Sequence, residues 1–258
     1  MKKSVYRVVA AAAMVATLGL ATACGGDDSS GKDKDKGGKG SDKATTAPPA
    51  ASGAEPLTAA QLEKASLETK DGQGFAVTKM TDKEIAEGGS AKSDKAECQP
   101  VAALLGTDFD PAPVASTYRN YAMADAATAS ENPEAALLGM VRLSAHKPGD
   151  AEKVMTSVRD ALKACGGGFT VTDGQGEKQV VTEAKEVLIP EAGDESLGLV
   201  LSNKNKEEGN VKFILVRSGA QVVTFFGFNM ADPEQPEVPQ VLVSTQVTKI
   251  EKAAKAKG

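Results

Sequence analysis

The sequence predicts an α+β fold: a curved antiparallel sheet of about five or more strands, with helices packed on one face and one disulfide. Three observations predict it. Short helical and strand-like segments are mixed between Leu57 and Ala145. A single strongly amphipathic helix follows, from Asp150 to Cys165. Beyond it come five strand-like segments whose junctions all carry hairpin residues.

In chain order, Thr58-Ala59-Ala60-Gln61 has the form of a capping box, with Thr58 as N-cap and Gln61 three residues later. Leu62, Ala65 and Ser66 continue a short helix, and Leu57 stands ready to staple it. Phe75 to Met80 reads as a strand. Cys98-Gln99-Pro100 opens a second short helix, because proline suits a first turn; Val101, Leu104 and Leu105 share a face before Gly106 ends it. Tyr118 to Met123 and Ala135 to Ala145 read as strands. In the second of these, Leu137, Gly139, Val141 and Leu143 alternate with Leu138, Met140 and Arg142.

Ala151, Val154, Met155, Val158, Ala161, Leu162 and Cys165 recur at three- and four-residue spacing, which defines the long helix. Asp150 is its expected N-cap and Gly166 its stop. The five strand segments are 168–172, 179–189, 196–203, 211–217 and 221–230. Asp173-Gly174, Gly193-Asp194, Glu208-Gly209-Asn210 and Ser218-Gly219 separate them, which predicts an antiparallel meander. A final helix is expected from Pro239 to Lys252.

The first 56 residues carry a different message. Lys2, Lys3 and Arg7 precede an apolar run of about 16 residues, short of the roughly 20 that span a bilayer. The run ends Leu20-Ala21-Thr22-Ala23-Cys24. A positive start, a short apolar stretch and small residues before a cysteine predict a signal peptide over 1–23 and lipidation of Cys24. Ordinary secretion with a free thiol, or an uncleaved anchor, are the alternatives. Residues 24–56 are rich in Gly, Lys, Asp and Pro, too polar to bury a core, and read as a flexible tether. The folded domain then spans 57–258.

Cleavage before Cys24 would remove three of the 30 basic residues and none of the 35 acidic ones, leaving a formal charge of −8. That balance speaks against nucleic acid as a partner and against an electrostatic hold on anionic lipid. Trp is absent, so carbohydrate stacking on indole is excluded. Cys98 and Cys165 remain as an even pair in an exported chain, which predicts a disulfide; two buried thiols are the alternative.

Catalytic signatures are missing. His146 is the only histidine, followed by Lys147-Pro148-Gly149, and is expected in an exposed loop. One histidine rules out HExxH and multi-histidine zinc sites, and no GxSxG, GxGxxG or GxxxxGK[ST] occurs. No cofactor and no metal are expected.

Two features lean toward binding. In a strand over 221–230, Val222, Phe226, Phe228 and Met230 share one face, and Val223 and Phe225 the other. Val211, Phe213 and Leu215 likewise oppose Ile214 and Val216. Both faces are apolar, which is structural core or a groove for an apolar ligand or partner surface built on Phe213, Phe225, Phe226, Phe228 and Met230. The acidic, proline-stiffened loop from Asp232 to Pro239 is either a spacer or a partner-contact rim.

Cys98-Gln99-Pro100-Val101-Ala102-Ala103-Leu104-Leu105-Gly106, together with Ala161-Leu162-Lys163-Ala164-Cys165-Gly166-Gly167-Gly168-Phe169 after a long helix, resembles the extracellular sensor domain of PknH-type receptor kinases and related actinobacterial lipoproteins. The resemblance covers about 57–254. It implies an α+β fold with a cleft and an extracytoplasmic ligand of undefined identity. Members often carry a second disulfide, for which this chain has no cysteines, and no kinase domain is present. The expected function is a membrane-anchored extracytoplasmic lipoprotein acting as a non-catalytic, sensor-like binding module for an apolar envelope molecule or a surface protein. The alternative is an envelope enzyme or enzyme accessory protein.

Overall fold

Alternating apolar residues with hairpin turns between them favour strands that pair with their sequence neighbours, and five of the eight strand pairings in the sheet, among the described residues, are of that kind. The computed structural model describes residues 55–123 and 137–256. The signal peptide, Cys24 and the tether up to Ala54 lie outside the described residues, as do the last two residues.

Among the described residues nine strands form one open antiparallel sheet: β1 (Phe75–Lys79), β2 (Lys92–Ser93), β3 (Ala115–Met123), β4 (Leu137–Ala145), β5 (Phe169–Thr172), β6 (Lys178–Val187), β7 (Glu195–Asn203), β8 (Val211–Ser218) and β9 (Gln221–Asn229). Their spatial order is β1-β3-β4-β9-β8-β7-β6-β5-β2. Strands β5 to β9 are the predicted meander. The β3–β4 hairpin joins it by pairing β4 with β9, from Leu137 against Asn229 to Ala145 against Gln221. The sheet is therefore larger than five strands, because the N-terminal strands extend it at both ends.

The helices are α1 (Ala59–Ala65), α2 (Asp82–Gly88), α3 (Gln99–Ala102), α4 (Asp150–Cys165) and α5 (Gln240–Lys255). The capping box of α1 forms as read, with the Thr58 hydroxyl accepting from the Gln61 N–H and Gln61 Oε1 accepting from the Thr58 N–H. Gly149, not Asp150, occupies the N-cap of α4. None of the described helices is long and apolar enough to cross a membrane.

Helices on one face only is the expectation the structure overturns. Val154, Met155, Val158 and Leu162 of α4 bury against Leu197, Leu199, Phe213, Leu215 and Val222 on one face. Leu242, Val243, Val247 and Ile250 of α5, with Leu62 of α1, bury against Val141, Leu143, Ile214, Val216, Val223 and Phe225 on the other. The reason lies in the strands. Apolar residues on both faces of β8 and β9 leave two surfaces to remove from water, and each fully buried Leu or Phe is worth about 1.5–3 kcal/mol.

Cys98, just before α3, and Cys165, the last residue of α4, form the disulfide, with Cα atoms 5.6 Å apart. It fastens the short helix to the long one. At the sheet edge, the Thr69 hydroxyl both donates to the Val77 carbonyl and accepts from the Val77 N–H, closing this residue's outward groups against further pairing.

Candidate functional site

The site grows from one cross-strand pair. Phe213 on β8 lies opposite Phe226 on β9, their rings edge to face with centroids 5.4 Å apart. Phe213 is wholly buried under the α4 layer, but Phe226 is only half-buried. One step further along β9, Phe228 is half-buried too. The two rings and Val211 make the floor of a cavity of about 510 Å³, completed by Val171 of β5 and by Ala91 and Leu105 from the loop segments beside α3.

Charged and polar side chains form the rim: Asp173, Glu177, Lys178 and Gln179 from the β5–β6 hairpin, and Glu208 from the β7–β8 turn. Asp173 is fixed by its own turn, its Oδ1 accepting from the N–H groups of Gln175 and Glu177, each at 2.9 Å. Gly174 lies against Gly89 so closely that a Cβ on Gly89 would sit 2.8 Å from the Gly174 Cα. That contact joins the hairpin to the segment supplying Ala91.

The loop from Asp232 to Pro239 does not line the cavity but braces it. The Pro233 carbonyl accepts from the Asn210 N–H at 2.6 Å, the Glu234 carbonyl accepts from Asn210 Nδ2, and Lys212 pairs with Glu237 at 3.0 Å. A Cβ on Gly209 would meet the Phe228 ring at 2.6 Å and the Pro233 Cβ at 2.9 Å. Gly209 also has φ +69°, so a glycine is needed there twice over.

Of the five residues read as a ligand or partner surface, Phe226 and Phe228 line this cavity. Phe213 lies in the core beneath it. Phe225 points to the opposite face, fully buried among the α5-side residues. Met230 is 61% exposed just past β9 and does not line the cavity. Nothing in the sequence marks Ala91, Leu105 and Val171 as lining this surface. They belong to segments far apart in the chain, and only the strand order brings them together.

The sole histidine is also not where the sequence put it. His146 is buried: its backbone N–H donates to the Ala220 carbonyl at 2.8 Å, extending the β4–β9 ladder past Ala145 and keeping the residue on the sheet. Burial pulls its pKa down to about 4; Asp150 and the Pro111 carbonyl favour the charged ring, while Arg142 opposes it. Arg142 itself is fully buried on β4, donating from Nη1 to the Gly106 carbonyl at 3.0 Å, with its Cζ 3.4 Å from the centroid of the Phe109 ring. Among the described residues no three His, Cys, Asp or Glu side chains cluster as metal ligands would.

Comparison with known proteins places little beside this chain. No family model matches the sequence, and no curated protein matches it. Among solved structures, the chain is similar to the extracellular domain of PknH from Mycobacterium tuberculosis, with a TM-score of 0.49 and 12% identity, over 79% of this chain and 100% of that one.

Proposed function

We propose that this chain is an extracytoplasmic lipoprotein, held to the membrane through a lipidated Cys24, whose α+β domain is a non-catalytic binding module. The observation that carries the reading is the cavity floored by Phe226, Phe228 and Val211. At about 510 Å³ it has the size of a small-molecule site, with an apolar floor and a polar rim. Half-buried phenylalanines in an otherwise close-packed sheet face are surface that a ligand would remove from water. The ligand is an apolar envelope molecule, or the apolar side chains of a surface protein. A tether of the composition of residues 24–56, behaving as flexible coil, would give the domain a reach of roughly 30 Å from its anchor.

The test is native mass spectrometry of the mature chain, exported from a bacterial host with Cys24→Ser and purified without detergent. An added mass that leaves on organic extraction, and that is missing from the Phe226→Ser protein, is the expected result. A bare monomer mass in both sinks the small-ligand reading and directs the search to cross-linked protein partners on intact cells. Anchoring is tested separately: labelled fatty acid should enter the natural chain and not Cys24→Ser.

A further inference from the structure

Three buried side-chain atoms among the described residues have no hydrogen-bond partner: Nε and Nη2 of Arg142, and Nδ1 of His146. They are not scattered. Both residues belong to β4 or its one-residue extension, four positions apart and so on the same face. One segment, Gly106 to Val114, covers them. Its Gly106 carbonyl takes the Arg142 Nη1–H, its Pro111 carbonyl lies by His146, and its Val114 N–H donates to the Ala145 carbonyl at 2.8 Å.

The two orphaned Arg142 donors lie on one edge of the planar guanidinium. Nε–H and Nη2–H together form a fork that fits the two oxygens of a carboxylate. Buried polar groups are almost always satisfied, and a guanidinium keeps its charge when buried. Burial lowers the Arg142 pKa only to about 10, with the Tyr118 phenol and Asp108 favouring the charge, so it is cationic at neutral pH. Its fork therefore offers an anion two donors that no acceptor among the described residues takes, with the Tyr118 phenol standing within hydrogen-bonding reach of the guanidinium.

Phe109 is what separates the fork from a neighbouring cavity, which Phe109 lines and the buried Arg142 does not. Phe109, whose ring stacks on the guanidinium, also lines a second cavity of about 440 Å³ between this segment, α3 and α4. Pro100 and Ala103 from the α3 region and Val158 of α4 give that cavity apolar walls. Asp108 and Asp110 line it too, so any anion that enters passes two carboxylates, and a second negative charge on it would double that repulsion.

We propose that Arg142 is the recognition group for a small monocarboxylate, which enters the cavity between α3 and α4, displaces the Phe109 ring and places its carboxylate on the Nε–Nη2 fork. The site is separate from the Phe226–Phe228 cavity and does not depend on what that cavity binds.

The experiment is a nuclear magnetic resonance titration of the nitrogen-labelled mature chain carrying Cys24→Ser, following the Arg142 Nε–H signal assigned through its own side-chain carbons. The probes are propionate, its neutral analogue propionamide, and succinate. The expected result is a saturable shift with propionate, none with propionamide, and a several-fold weaker response to succinate. A signal that contacts only a buried water and ignores propionate overturns the proposal, as does an equal response to propionamide. Phe109→Ala keeps the guanidinium and removes the partition, so half-saturation should fall several-fold; an unchanged value overturns the route through Phe109.

Discussion

Gln246, on the buried side of α5, holds both backbone ends of the turn after α1: its Oε1 accepts from the Leu67 N–H at 2.9 Å and its Nε2 donates to the Ala65 carbonyl at 2.7 Å. The partners are 179 and 181 positions apart in sequence, and Gln246 is fully buried. One side chain thus joins the first and last helices of the domain across the second core layer.

Gln246→Ala is expected to destabilise the domain by about 2–4 kcal/mol, because it leaves a donor and an acceptor buried without partners. Urea unfolding should show a lower midpoint at an unchanged slope. A loss below about 1 kcal/mol would mean that water replaces the side chain, and would contradict a buried clamp.

The disulfide between Cys98 and Cys165 closes a loop of 67 residues in sequence separation. By loop entropy such a bridge stabilises the fold by about 4 kcal/mol. Reduction, or Cys98→Ser with Cys165→Ser, should lower stability by that order. Thiol labelling of the natural domain, denatured but not reduced, should modify neither cysteine; labelling of either one excludes the bridge.

His146 gives a pH dependence with a definite sign. Burial lowers its pKa from 6.5 to about 4, so in this window the unfolded chain binds a proton that the folded chain does not. Stability is full above about pH 6.5, falls as the pH drops toward 4, and loses nothing further to this group below that. The loss is roughly 3 kcal/mol at 1.4 kcal/mol per unit. Because His146 is the only histidine, its imidazole signal is unambiguous. A midpoint near 6.5 in the folded protein, or an unchanged slope in His146→Phe, would falsify the assignment.

Glu63 acts in the adjoining, more acid window. Partial burial would raise its pKa from 4.5, but hydrogen bonds from Lys79, Thr117 and Arg119 outweigh that and lower it. Arg119 is itself buried and pairs with Glu63 at 2.8 Å. A lowered carboxyl pKa contributes stability that is present above about pH 4.5 and is lost as the pH falls through the folded value. Glu63→Gln should flatten the stability profile below about pH 4.5 and leave the histidine window intact. The same loss below pH 4.5 in both proteins would assign it elsewhere.

Local signals in the sequence carried most of the architecture. The meander strands, the long helix, the last helix and the α1 capping box all stand within a few residues of where periodicity and turn residues place them. Helix α2 was legible but overlooked: Thr81 and Glu84 form a second capping box of the same kind. The second helix layer was half-legible, since Ile214 and Val216 opposite Phe213 and Leu215 already imply two buried faces. The burial of His146 and Arg142 was not legible. Nothing in Arg142's neighbours along the chain distinguishes it from a solvent-facing strand residue. Its burial follows from Gly106 and Phe109 folding over it, a contact set by long-range topology. The same holds for the cavity, where Phe226 and Phe228 could be named from alternation but Ala91, Leu105 and Val171 arrive from elsewhere in the chain.

The geometry around Phe228 separates a binding surface from a merely incomplete core. If Phe228 served only packing, Phe228→Ser would cost stability and leave nothing else changed. If its exposed half receives a ligand, the same substitution should abolish the extractable mass on the purified protein, with a modest stability loss because the ring is only half-buried. Gly209→Ala tests the site from behind. Its Cβ would strike the Phe228 ring and must push it toward the cavity or shift the Pro233 loop, in a backbone conformation that alanine disfavours. Ligand occupancy measured by native mass spectrometry should fall in Gly209→Ala while Ala231→Gly, an exposed position past the end of β9 that does not line the cavity, leaves it unchanged. Equal occupancy in all three variants and the natural chain would assign the two half-buried phenylalanines to packing alone.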